Sequence, residues 1–196
     1  MKHDSEGVLA KRLMSWMRRT NGSLLTVVLV ASIDGNACAD TDPCQSIRDA
    51  IGKQNTALQM QVTWVLTYTD SGRSYYLDSL YSGDRYYWRN REGPWDVEQR
   101  RSVPLFIDGK AAIYNCRFVG TDRIGDTAVN VYDYKRSIPD HTLDIRAWIG
   151  VDGGEFLQSE TVFGPFPDHK AKYTFSYGPN PAPPAVDERK LWHAPH

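Results

Sequence analysis

Nowhere in the 196-residue sequence does an apolar run approach the roughly 20 residues that a permanent membrane-spanning helix needs. The best candidate, Leu24-Leu25-Thr26-Val27-Val28-Leu29-Val30-Ala31, is far too short. An excess of charge of one sign is also missing: 23 basic residues against 24 acidic ones exclude the basic footprint of a nucleic-acid binder. Cysteine is scarce, with three in all, and no His or further Cys keeps metal-ligand spacing with any of them. Gly-rich phosphate loops, His-Glu-x-x-His pairs and Gly-x-Ser-x-Gly elbows are absent. These absences point to a protein that is not an enzyme and carries neither cofactor nor metal.

The start of the chain reads as an address. Lys11, Arg12, Arg18 and Arg19 precede the apolar run, which gives way to the small residues Ala37-Cys38-Ala39. Positive, apolar, small is the order of a signal peptide, so residues 1–39 are expected to be a leader, with Met17 as an alternative true start. A twin-arginine reading of Arg18-Arg19 is disfavoured because the polar Thr20-Asn21-Gly22 comes next. A lipoprotein reading of Cys38 is disfavoured because Gly35 occupies the position three before it, where an aliphatic residue is usual. The expected location is the periplasm or the exterior, with residues 40–178 as one β-rich domain and residues 179–196 as a Pro-rich mobile tail. No transmembrane segment is expected in the mature chain.

Loss of the leader leaves Cys44 and Cys116, an even pair that an oxidising compartment turns into a disulfide. Asp42-Pro43-Cys44-Gln45 has the form of a helix start, with Asp42 as N-cap, Pro43 at the first helical position and Gln45 placed for a capping box. A helix continuing to about Gln54 puts Cys44, Ile47 and Ile51 on one face. On the other side, Ala112, Tyr114, Cys116 and Phe118 alternate with Ala111, Ile113, Asn115 and Arg117, so both thiols are expected to face the core.

Beyond the helix, period-two alternation dominates the chain. Leu58, Met60, Val62, Trp64, Leu66 and Tyr68 interleave with mostly polar residues, and turn signals at Asp70-Ser71-Gly72 and Ser82-Gly83-Asp84 lead into strands over residues 75–81 and 85–89. Further strands are expected at residues 111–119, 127–136, 143–151, 156–163 and 170–177. Many strands behind one short helix indicate a mainly β fold with an antiparallel sheet. One helix cannot cover such a sheet, so the sheet must curl. The expected architecture is a half-barrel plugged by the N-terminal helix and by a loop over residues 91–109, which carries Pro94 and Pro104.

Candidate chemistry is sparse. His141, His169, His193 and His196 fall in loop-like or tail segments, and Asp140, His141 and Asp144 are too weak a constellation to name a hydrolase. Aromatics are in surplus: Tyr75, Tyr76, Tyr81, Tyr86, Tyr87, Trp88 and Trp95 crowd one stretch, and adjacent pairs must point to opposite faces of a strand. Rings accompanied by Arg85, Arg89 and Arg91 suit an interface or an amphiphile-binding mouth, although cross-strand packing on a half-solvated sheet also accommodates them. The candidate ligand-binding residues are therefore Trp64, Tyr76, Tyr87, Trp88, Arg85 and Arg89.

A resemblance rests on Phe118-Val119-Gly120-Thr121-Asp122-Arg123-Ile124-Gly125-Asp126-Thr127-Ala128-Val129-Asn130-Val131-Tyr132 and on Ile145-Arg146-Ala147-Trp148-Ile149-Gly150-Val151-Asp152-Gly153-Gly154. This order of strand, Gly-acidic turn, strand ending in Tyr, and Trp-Ile strand before an Asp-Gly turn resembles the superfamily of periplasmic lipoprotein carriers of the LolA and LolB type. The resemblance implies an incomplete β-barrel with a helical plug and an apolar cavity for acyl chains. The carriers' Phe-rich first strand and Arg-Pro-x-x-Phe-Arg-Trp segment have no counterpart beyond a distant echo in Arg85-Tyr86-Tyr87-Trp88. The expectation is thus a non-enzymatic periplasmic protein that binds a lipid or other hydrophobic or amphiphilic ligand. The alternative is an inhibitor or immunity-type module with a protein partner.

Overall fold

The computed structural model describes residues 42–163, 166–179 and 182–186. All of these belong to one compact unit, Ala39–His196. The expected leader, Cys38, and the tail from 187 onward, including Trp192, His193 and His196, lie outside the described residues.

The chain enters on a helix, α1 (Pro43–Thr56), which runs to Thr56 where the sequence pattern suggested an end near Gln54. Asp42 caps it, its Oδ1 accepting from the Cys44 backbone N–H at 3.0 Å. The capping-box expectation for Gln45 is replaced by a different arrangement: its amide donates to Asp49 at 2.7 Å, and Arg48 holds the free oxygen of Asp42 at 2.5 Å. The Arg48 guanidinium and the Cys44 N–H together keep the Asp42 carboxyl below the usual carboxylate range. Ile47, Ala50 and Ile51 form the buried stripe that 3.6-residue spacing dictates.

Eight long strands appear where alternation placed them: β1 (Gln59–Tyr68), β2 (Ser74–Ser82), β3 (Arg85–Asn90), β7 (Ile113–Ile124), β8 (Thr127–Ile138), β9 (His141–Gly150), β10 (Phe156–Phe163) and β11 (Phe166–Tyr177). Within the segment expected to be a loop lie two short ones, β4 (Asp96–Gln99) and β5 (Phe106–Ile107), and a third, β6 (Lys110–Ala111), follows just beyond it. The β5–β6 hairpin turns at Asp108 and Gly109, both left-handed at φ 50° and 73°, which is the turn that an Asp-Gly pair favours.

Nine strands make one antiparallel, unclosed sheet in the order β4-β3-β2-β1-β11-β10-β9-β8-β7. The first long strand therefore pairs with the last, and β4 and β7 form the two edges. The chain must cross from one edge to the other between them, and it does so over the inner face: Val103 and Leu105 pack against the core that α1 shares with the sheet. Register fixes that inner face. Ile145 and Ala147 of β9 stand opposite Tyr134 and Tyr132 of β8, and the ladder continues through Thr161, Ala171, Leu66 and their neighbours.

The sheet is curled, with α1 and the crossing segment inside, as expected of a half-barrel. Its outer face over β7–β11 carries cross-strand charges instead. Asp133 accepts from Arg117 and Arg146, each at 2.7 Å, and Lys135 donates to Asp144 at 2.6 Å. Donation from Arg146 leads the effects that depress the Asp133 carboxyl.

Cys44 and Cys116 form the expected disulfide, with Cα atoms 5.1 Å apart. The strand-face reasoning behind it needs one correction. Tyr114 pairs with Lys135 but Arg117 with Asp133, so a bulge at Asn115 and Cys116 breaks the alternation. Asn115 adopts φ 51°, Ile113 is buried, and Phe118 is 49 % exposed rather than inward. The bulge turns Cys116 toward α1.

Candidate functional site

Curling leaves space between the roof and the inner face. Ile51 and Gln54 of α1 and Val103 of the crossing segment form the roof of a cavity of about 370 Å³. Its walls are the inward side chains of β1, β2, β3, β8, β9, β10 and β11, so both halves of the sheet contribute. A cavity of this size lies at the small end of ligand sites, which run from about 300 to 1,000 Å³.

Two polar clamps hold the roof. The Asn55 amide donates to the Val103 carbonyl at 3.0 Å and accepts from the Val103 N–H at 2.8 Å, so the helix and the crossing segment share one amide-to-backbone pair. Arg100 donates to the carbonyls of Gln54 and Ala57, both at 2.6 Å, and to Gly83 at 3.2 Å. The first two are carbonyls at the helix end that lack intrahelical partners, where a cation is also favoured by the helix dipole. The same guanidinium lies 5.3 Å over the Tyr81 ring, which itself lines the cavity.

Aromatic rings dominate one wall. Trp64 stacks with Tyr173 at 6.1 Å and Tyr173 with Phe175 at 6.4 Å, while Phe156 meets Phe175 in a tilted contact at 5.9 Å. Tyr81 and Tyr86 meet at 4.8 Å, and the Tyr86 hydroxyl lies 3.2 Å from Ser79 Oγ. Burial pushes the Tyr173 phenol up to about 12 and raises Tyr81, Tyr86 and Tyr134 in the same direction. The wall is therefore neutral across the physiological range.

Among the described residues, Arg136 is the single charged side chain in this lining, and none of them contributes a carboxylate to it. Its strand neighbours in register are Ile113 and Leu143, both buried and apolar. Its Nε is buried without a hydrogen-bond partner, and so is Trp64 Nε1. Desolvation lowers the Arg136 pKa from its ordinary value.

The structure does not bring the sequence-derived candidates together. Trp64 lines the cavity. Trp88 stands inward on β3, opposite Ser79 and Asp96, without lining it. Tyr76 sits on the outer face, 47 % exposed, with the Arg91 guanidinium 5.7 Å over its ring. Tyr87 is buried on that outer face with Leu80 and Val97, against Trp95 and Val186. Arg89 pairs with Asp78 at 3.1 Å and lies 4.6 Å over Trp95, while Arg85 faces Asp84 at 3.8 Å.

Sequence reasoning missed Arg136, although a signal existed: it interrupts the period-two series Tyr132, Tyr134, Ile138 on the inward side of β8. It missed Tyr173 and Phe175 too, whose alternation with Lys170, Lys172 and Thr174 on β11 is equally regular. His169 was expected in a loop and instead lies within β11, 4.4 Å from the Tyr68 ring and 5.1 Å from Phe166. Asp144 of the weak hydrolase constellation is held by Lys135. Among the described residues, no group of three or more His, Cys, Asp or Glu is placed to hold a metal, and no helix is long and apolar enough to cross a membrane.

No protein-family model matches the chain, and no curated protein matches it. Solved structures do. The lipoprotein LppX of Mycobacterium tuberculosis is similar over 70 % of this chain and 95 % of its own, at 12 % identity and a TM-score of 0.44. LprF from Mycobacterium bovis matches over 72 % and 97 %, at 14 % identity and a TM-score of 0.42. A LolA superfamily protein from Nitrosomonas europaea matches over 68 % and 91 %, at 7 % identity and a TM-score of 0.30. Likenesses at such low identity and TM-score say nothing of what the chain binds, which rests on its own cavity.

Proposed function

We infer that this protein is a non-enzymatic binding protein that takes one hydrophobic or amphiphilic molecule into the cavity beneath α1, and that it works in the periplasm or outside the cell. The observation that carries the reading is the cavity of about 370 Å³ between the roof and an inner face rich in aromatic side chains. A sheet that curls without closing, roofed by one helix, leaves such a space because too little side-chain volume enters it from above. The Cys44–Cys116 disulfide supports an oxidising compartment.

Organic extraction of the protein purified from an exporting host, followed by mass spectrometry, tests this. The expected result is a stoichiometric amphiphile or, for an empty preparation, saturable uptake of one fluorescent fatty-acid analogue per chain. A protein that neither retains nor takes up any such molecule contradicts the reading.

A second reading, a protein-binding module, draws on Tyr75 and Tyr76, which are 47 % exposed on opposite faces of β2. Rigid rings of this kind anchor interfaces. Substituting both by alanine and finding a stoichiometric partner's affinity unchanged would remove it.

A further inference from the structure

The cavity is not uniformly greasy, and among the described residues its one charge has no counter-charge in the lining. Arg136 enters from β8, between the buried apolar Ile113 and Leu143, and its Nε is buried without a partner. Trp64 enters from β1, on the other half of the sheet, and its Nε1 is a buried donor that also lacks a partner. Both side chains line the same cavity, with Ser159 and Thr161 of β10 on the strand wall between them. A half-buried cation whose Nε is sealed from solvent and a buried N–H each carry a desolvation cost that an acceptor offsets. Among the described residues the lining offers no carboxylate to do so, although the outer face of the same sheet pairs its arginines with Asp133 and Asp78.

We propose that the cavity binds a single-chain amphiphile by its anionic head, a long-chain carboxylate whose oxygens are held by Arg136, with its chain against the aromatic wall. This rests on the cavity's role as a ligand site and adds the ligand's charge and orientation. Guanidinium and carboxylate match as planar forks, and one carboxylate neutralises one arginine, whereas a phosphate dianion brings a second buried charge with no partner. The volume of about 370 Å³ favours one chain over a lipid with several. The head is thus bound inward, and the orientation is set by the one place where a charge in the cavity is compensated.

Palmitate and methyl palmitate separate the alternatives, because they share a chain and differ in charge. Competition of each against a bound fluorescent fatty-acid analogue on the full chain is expected to show palmitate preferred by about tenfold or more, the range of a charge-assisted hydrogen bond. Arg136→Met is expected to erase the preference by weakening palmitate while leaving the ester unchanged, with a melting curve confirming that the variant is folded. Should Arg136→Met not fold, Trp64→Phe removes the second donor and is expected to narrow the preference. Equal affinity of the wild-type chain for acid and ester overturns the anionic-head proposal and leaves the apolar cavity standing. Binding of neither overturns both.

Discussion

Replacing Cys44 and Cys116 together by serine removes the covalent link between α1 and β7 while leaving the non-covalent contacts of the roof in place. Ile47, Ala50 and Ile51 stay buried, Asn55 still pairs with Val103, and Arg100 still holds the helix end. The loss therefore falls on the unfolded chain, whose ends of a 72-residue separation are freed. Chain-entropy reasoning puts the cost at about 4 kcal/mol. At about 2–4 °C per kcal/mol for a domain of this size, the thermal midpoint should drop by about 8–16 °C. Urea unfolding of the oxidised protein and of the double variant measures it, and the far-ultraviolet circular dichroism of the two folded states should coincide. A stability difference below about 1 kcal/mol, or lost helix signal before unfolding, would refute the reasoning, because the link would then be either idle or the main support of the roof.

Arg100→Met should destabilise the fold by about 2–4 kcal/mol, since it strands two carbonyls at the helix end, and denaturant unfolding reads the loss directly. Alkaline stability should fall because the Tyr173 phenol titrates near 10.0 when unfolded and at about 12 when folded: its contribution is whole below the lower value and lost as pH climbs toward the upper one. Tyrosinate absorbance that rises together with unfolding checks this, and full ionisation near pH 10 in a folded protein contradicts it. Asp133 acts at the other end: its carboxyl is held below 3.8, so its stabilisation is present above that value and disappears as pH falls through the lowered one. Asp133→Asn should remove up to about 1 kcal/mol at neutral pH and flatten the acid limb of the stability profile.

Much of this fold was legible because period two is a physical signature of a sheet with one buried face. Residues Met60, Val62 and Trp64 fall inward as their alternation requires, and the Asp42-Pro43 start caps the helix. What was hidden depends on pairing that no local pattern encodes. The neighbouring of β1 and β11 brings Trp64 beside Tyr173, and a bulge at Asn115 and Cys116 resets which residues of β7 face inward. The candidate site suffered most from this. Aromatic density drew attention to Tyr76, Tyr87, Arg85 and Arg89, yet these lie on the outer face of β2 and β3, where Tyr87 fills a small cluster of its own with Val186 of the tail. Arg136 carried the opposite lesson, since one charge inside an inward aromatic series stands out only once that series is known to line a space.

Irradiation of the full chain with a long-chain fatty acid bearing a diazirine on its tail, followed by peptide mass mapping, asks where the ligand lies. Label on the strands that carry Trp64, Tyr173 and Phe175, limited to one molecule per chain and displaced by unlabelled palmitate, is the expected result. Label confined to the outer cluster of Leu80, Tyr87 and Val97, or no displaceable label at all, would show that the space under α1 is not a binding site.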